Sequence, residues 1–206
     1  MNIKSKIHEV FPTPVYVSNI DRPYDEGEIS LITETEKNTY LNTGNKTSND
    51  LYILNNPLLL KLKNNLLDIV QDYFDKIIST SDDVKPFITQ SWLNYTKQNG
   101  YHHSHTHTNS LVSGVLYIDC IENLDKITFL NTKHQNLEFT VKDYNAFNST
   151  SRWFLIKKGM VILFPSYLEH HVELKEHANT RISLAFNVFI KGKIGNYKFA
   201  NELTIN

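Results

Sequence analysis

Four histidines fall inside seven residues, Tyr101-His102-His103-Ser104-His105-Thr106-His107. Neutral imidazole is the donor that iron, zinc, copper and nickel share, so clustered histidines raise the question of a metal. In extended backbone positions i and i+2 point to one side, so either His105 with His107 or His103 with His105 can aim two rings at one point. All three cannot. An i to i+4 separation covers about 13 Å along a strand, whereas metal–nitrogen bonds are about 2.1 Å. Taken alone, the cluster also fits a solvated histidine-rich loop that binds metal adventitiously.

A further imidazole is available downstream. In Gly159-Met160-Val161-Ile162-Leu163-Phe164-Pro165-Ser166-Tyr167-Leu168-Glu169-His170-His171, a glycine opens an apolar strand and a proline ends it before a histidine pair. In a jelly roll a late strand runs beside the early one that carries a His-x-His, so a histidine past the Pro165 turn can close a three-ligand face and leave positions open for substrates. The last long strand adds an independent feature. Ile182, Leu184, Phe186, Val188 and Ile190 share one apolar face, and Arg181, Ser183, Ala185 and Asn187 the other, which faces either solvent or a ligand-lined interior. The chain uses lysine by preference, its arginines being Arg22, Arg152 and Arg181. A planar two-pronged donor suits a carboxylate, and Ser183 could add a hydrogen bond to it.

Together these strings carry a resemblance. Asn99-Gly100, then His105-Thr106-His107-Thr108-Asn109-Ser110-Leu111-Val112-Ser113-Gly114-Val115, then Phe164-Pro165-Ser166 with His170, then Arg181-Ile182-Ser183 with Phe186-Asn187, resemble the iron(II) and 2-oxoglutarate-dependent oxygenase superfamily from about Gln90 to Ile190. The likeness is greatest to a small subgroup found in bacteria and bacteriophages. It implies that His105, His107 and His170 hold Fe(II), and that Arg181 with Ser183 clamps the carboxylate of the co-substrate 2-oxoglutarate. It places Tyr117 and Asn94 at further co-substrate contacts. The implied reaction, with O2 as oxidant, couples decarboxylation of 2-oxoglutarate to oxidation of an unknown substrate, as in a hydroxylase. Most of the superfamily carries a carboxylate where this chain has His107, so three neutral rings leave the metal charge uncompensated unless a nearby Asp or Glu completes the set. His171 beside His170 leaves the third ligand open by one position. A cupin would use the same His-x-His logic, but usually wants glutamate at the position of Leu111 and glycine at that of Tyr167, and does not explain Arg181-x-Ser183. A non-catalytic jelly-roll binding module is the remaining alternative.

These groups need a scaffold. Val10–Val17 reads as an edge strand, because Pro12 and Pro14 keep the backbone extended. Tyr24–Tyr40 and Pro57–Thr80 read as helices, the latter from Leu58, Leu62, Leu66, Ile69, Tyr73 and Ile77 at helical spacing. Asn42–Asp50 between them is rich in turn formers and reads as a loop. Strands follow at Phe87–Tyr95, Leu111–Asp119, Lys126–Leu130, Leu137–Val141, Arg152–Ile156, Met160–Phe164, His171–Leu174 and Arg181–Ile190. The expected fold is mostly β: a double-stranded β-helix, or jelly roll, with N-terminal helices packed on it. A single domain is expected over 1–206, with support in 1–85, the jelly-roll core in 86–192 and a C-terminal extension in 193–206. Trp92, Tyr95, Tyr101 and Trp153 read as core or as the rim of a substrate mouth. His8, His134 and His177 read as surface.

Composition sets the limits. At 206 residues the chain can bury a sizeable core. A net charge of -1 supplies no basic field for nucleic acid or an anionic membrane, so neither is expected as a partner. The polar start of the chain does not resemble a signal peptide, and the lone Cys120 cannot form an internal disulfide, so a reducing cytoplasm is expected. A homodimer stays open.

Overall fold

The computed structural model describes residues 3–132 and 139–206. It contains, in chain order, β1 (Tyr16–Asn19), α1 (Glu26–Thr35), β2 (Thr39–Asn42), β3 (Asn45–Ser48), α2 (Leu60–Tyr73), β4 (Val84–Thr96), β5 (His102–His105), β6 (Val112–Asp119), β7 (Lys126–Leu130), β8 (Ser151–Leu155), β9 (Met160–Pro165), β10 (His170–Val172), β11 (Arg181–Ile194) and β12 (Leu203–Ile205). A large antiparallel sheet runs β1-β9-β6-β11-β4-β3-β2, with β12 on the far end of β11, and a smaller one runs β5-β10-β7-β8. The two face each other across Val115, Tyr117, Ile127, Phe129, Ile162 and Phe164, a buried cluster drawn from both. This is the expected double-stranded β-helix.

The helices cover the other face of the large sheet. Leu62, Leu66 and Val70 of α2, four residues apart, pack with Leu93, Leu116, Leu163, Leu184 and Phe186. Each such side chain contributes roughly 1.5–3 kcal/mol when fully buried. Leu58 and Ile77, expected on the same stripe, are exposed. Leu58 lies in a 3-10 turn at Pro57–Leu59 and Ile77 in a π-helical turn at Phe74–Ile78, and both change the residues per turn and so rotate the face. Gly114 in β6 lets the far edge of the Phe186 ring approach the strand closely: a Cβ there would meet the ring at 2.1 Å.

Several boundaries depart from the sequence reading. In place of the expected Val10–Val17 strand, β1 begins at Tyr16 and runs on to Asn19, indeed at a sheet edge, and the first helix ends at Thr35 instead of Tyr40. The expected loop Asn42–Asp50 is instead a hairpin arm, because β2 and β3 pair from Thr39↔Ser48 to Asn42↔Asn45, and β3 pairs onward with β4. Of this arm, Asn45 lines the pocket described below. The histidine cluster, expected just before a strand, itself forms β5. Of the expected strand Leu137–Val141, Leu137 and Glu138 lie outside the described residues, as does His134, and residues 139–141 are not extended into a sheet. Among the described residues, no helix is long and apolar enough to cross a membrane.

Candidate metal centre

His105 closes β5 and His107 follows two residues later, its N–H bonded to the Ser166 carbonyl at 3.0 Å. His170 opens β10 directly opposite His105. One ligand atom from each of His105, His107 and His170 lies within 4.8 Å of the others. The other ring nitrogen of each is already occupied. Nδ1 of His105 meets the His103 carbonyl at 2.8 Å, Nδ1 of His170 the Leu168 carbonyl at 3.1 Å, and Nδ1 of His107 Asn187 Oδ1 at 2.6 Å. Oxygens of this kind only accept, so Nδ1 carries the proton and Nε2 the lone pair. Ser113 Oγ also stands 2.8 Å from His107 Nδ1 and continues into Ser166 and Ser110.

The Nε2 atoms of His105 and His107 are 3.2 Å apart. Two lone pairs at that distance repel unless a cation lies between them, and two metal–nitrogen bonds of about 2.1 Å at right angles put the nitrogens about 3.0 Å apart. Burial keeps protons off this site, depressing His105, taking His107 down to about 4 and His170 to about 2. The donor set therefore fits a resident divalent metal. Among the described residues no carboxylate joins the group, which there consists of three histidines. His170, 6% exposed, points in, and His171 lies on the opposite side of the strand.

The pocket extends from the rings across the inner face of the large sheet in rows set by strand register. Trp92, Ala185 and Val115 form the row nearest His107, and the Trp92 ring lies 5.7 Å from the His107 ring. Asn94, Ser183 and Tyr117 form the next, and Thr96 with Arg181 the last. All line one pocket with His102, Asn45 and the three histidines. Arg181, Ser183, Tyr117 and Asn94, which the resemblance placed at the co-substrate, thus line the same pocket as the three histidines. Arg181 is buried, while Arg22 is paired with Glu28 and Arg152 lies over the Phe154 ring.

Residues 90–187 match the family model described as "Putative 2OG-Fe(II) oxygenase". That segment is similar to the 2OG-Fe(II) oxygenases. The oxygenase fold also extends beyond it. The chain is similar to HygX from Streptomyces hygroscopicus with nickel, 2-oxoglutarate and hygromycin B bound, at 14% identity and a TM-score of 0.59 over 85% of this chain and 82% of that one. It is similar to a Pseudomonas putida prolyl-4-hydroxylase at 12% identity and a TM-score of 0.53, over 85% and 92%. A 2OG-Fe(II) oxygenase-family oxidoreductase from Burkholderia pseudomallei gives 16% and 0.54, over 80% and 78%. No curated protein matches significantly.

Two pocket residues of this oxygenase fold escaped the sequence reading. His102 stacks on His105 with ring centroids 4.5 Å apart and is held neutral by burial, its pKa down to about 3. Asn45 is 5% exposed, and neither its amide nitrogen nor its oxygen has a partner among the described residues. An unpaired buried amide is costly and normally finds a ligand or water. No local signal marked Asn45, because its role depends on β3 pairing with β4 far along the chain.

The buried histidines also set an acid limit on the metal-free oxygenase fold. His170 stays neutral in the folded state down to about 2, whereas the unfolded chain takes up its proton near 6.5. Between those values the unfolded state binds more protons, so stability must fall as pH falls. At pH 5 this single group removes about 2 kcal/mol, or about 4–8 °C of melting temperature. Scanning calorimetry of metal-free protein at pH 7 and pH 5 should show a drop that shrinks in His170→Asn; an equal drop in both proteins would mean that His170 is not buried neutral.

Proposed function

We propose that the protein is an iron(II)- and 2-oxoglutarate-dependent oxygenase, a hydroxylase acting on a substrate yet to be found. The observation that carries this is one pocket with three Nε2 lone pairs converging at one end and a buried arginine at the other. In this reading His105, His107 and His170 hold the metal, Arg181 and Ser183 bind the distal carboxylate of 2-oxoglutarate, and Tyr117 and Asn94 flank it. Bound iron(II) would supply the redox chemistry that splits O2 between succinate and product. The chain's own work is positioning and exclusion. Three neutral rings, each locked by its Nδ1 hydrogen bond, would hold the metal at one end of the pocket, and the rest of the pocket is left for ligands. Val115, Ile127, Phe164 and Ala185 wall the pocket with apolar surface and keep bulk water out. A reducing cytoplasm suits both a ferrous centre and the buried free thiol of Cys120. Fold alone does not set the outcome, since a similar structure, SnoN from nogalamycin biosynthesis, is an epimerase dependent on alpha-ketoglutarate.

The test bypasses the substrate. An assembled centre should decarboxylate 2-oxoglutarate slowly without one, so succinate should form with iron(II), stop on chelation, and be lost in His170→Ala and Arg181→Ala. Succinate at the level of a protein-free control, with and without a substrate library, would overturn the reading in favour of a binding module.

A further inference from the structure

Behind the arginine lies a buried cluster that the metal chemistry does not use. Asp125, Lys175 and Arg181 are 7%, 3% and 4% exposed. Asp125 Oδ1 accepts from Arg181 Nη1 at 3.2 Å, and Oδ2 faces Lys175 Nζ at 3.5 Å while accepting the Ile121 N–H at 2.8 Å. Among the described residues Asp125 is the carboxylate paired with either cation, so two positive charges share one negative charge inside the protein. Buried charge in excess is unfavourable unless something neutralises it. Arg181 lines the pocket, and Lys175 and Asp125 do not. Lys175 is also held firmly from both sides: its N–H donates to the Gly100 carbonyl at 2.8 Å, and its carbonyl accepts the Asn99 N–H at 2.7 Å.

We propose that Lys175 is a positioning residue that neutralises Asp125, so that Arg181 is fixed in place by the carboxylate yet keeps its positive charge for the anionic end of the co-substrate. Without Lys175, Asp125 would neutralise Arg181 directly and the pocket would lose its net charge, although Lys175 itself touches no ligand. The geometry supports this division. Among the described residues a single hydrogen bond at 3.2 Å fixes the Arg181 side chain and leaves most of its five donors for a ligand. The inference rests on the reading of the pocket as a 2-oxoglutarate site.

Its test is a charge cycle read by calorimetry, titrating 2-oxoglutarate into anaerobic nickel-loaded protein. Lys175→Met should weaken binding about tenfold, Asp125→Asn should bind as tightly as wild type or tighter, and the double variant should return to within about threefold of wild type. A merely structural ion pair would lower the melting temperature without ordering affinity by charge, and removing Asp125 would never rescue the loss of Lys175. Should Lys175→Met not fold, Asp125→Asn and the double variant still differ by one charge, and the double should be the weaker. Wild-type affinity in every variant, or a double variant as weak as Lys175→Met, overturns the inference alone. Failure of the wild-type protein to bind 2-oxoglutarate removes the reading of the site and this inference with it.

Discussion

Replacing His105, His107 or His170 by alanine should each lower metal affinity by at least about a hundredfold, measured as iron or nickel retained after dialysis against a weak chelator. The magnitude follows from the hydrogen bonds behind the ligands. Losing such an outer partner typically costs 10–100-fold, and losing the donor itself must cost more. The geometry separates these variants from their neighbours. His103 serves His105 through its backbone carbonyl, which His103→Ala keeps, and the His171 ring lies across the strand from His170. Both should retain metal within a few fold. A middle case sharpens the argument: Asn187→Ala removes the acceptor at 2.6 Å from His107 Nδ1 but leaves Ser113, so it should fall between the two classes. Metal retained by His107→Ala and lost by His103→Ala would mean that the other pair of the His-x-His-x-His string is the binding one.

The sequence made this centre legible because its parts are local. His105 and His107 are two apart, and the glycine-to-proline strand that delivers His170 has a compact apolar pattern. The choice between His103 and His107 was not readable from parity, which allows either pair. In space, the register of β10 puts His170 opposite His105, and the turn after β5 brings the His107 ring to both of them. The alternation along β11 was equally legible, and its polar face proves to line the interior, with Arg181 and Asn187 at the two ends of the site.

What escaped depends on contacts distant in sequence. Asn42–Asp50 has the composition of a loop, and only pairing with β4 makes Asn45 part of the pocket wall and lets Thr47 Oγ1 donate to Asn94 Oδ1 at 3.0 Å. Asp125 and Lys175 look like ordinary surface charges. They are buried because the turns at 120–125 and 173–180 close on the end of β11 that carries Arg181. Polar residues in extended segments give the same local signal whether they face water or a ligand, and tertiary pairing decides between the two.

Arg181→Lys should weaken 2-oxoglutarate binding by about tenfold to a hundredfold, or roughly 1.5–3 kcal/mol, although it conserves charge. The structure gives two reasons. A carboxylate in this pocket is offered a planar fork that an ammonium cannot reproduce. Arg181 must also reach Asp125 with one nitrogen while presenting the others forward, and a lysine has a single nitrogen for both tasks. That nitrogen would be drawn to Asp125, which already faces Lys175, and the pocket would lose its cation in position if not in number. Metal retention should be unchanged, because Arg181 is not among the converging imidazole donors. Calorimetric titration of nickel-loaded protein reads both quantities. Equal affinity for 2-oxoglutarate in Arg181→Lys and wild type would remove the carboxylate clamp from the oxygenase reading, and would leave the three histidines as a metal site of the cupin kind.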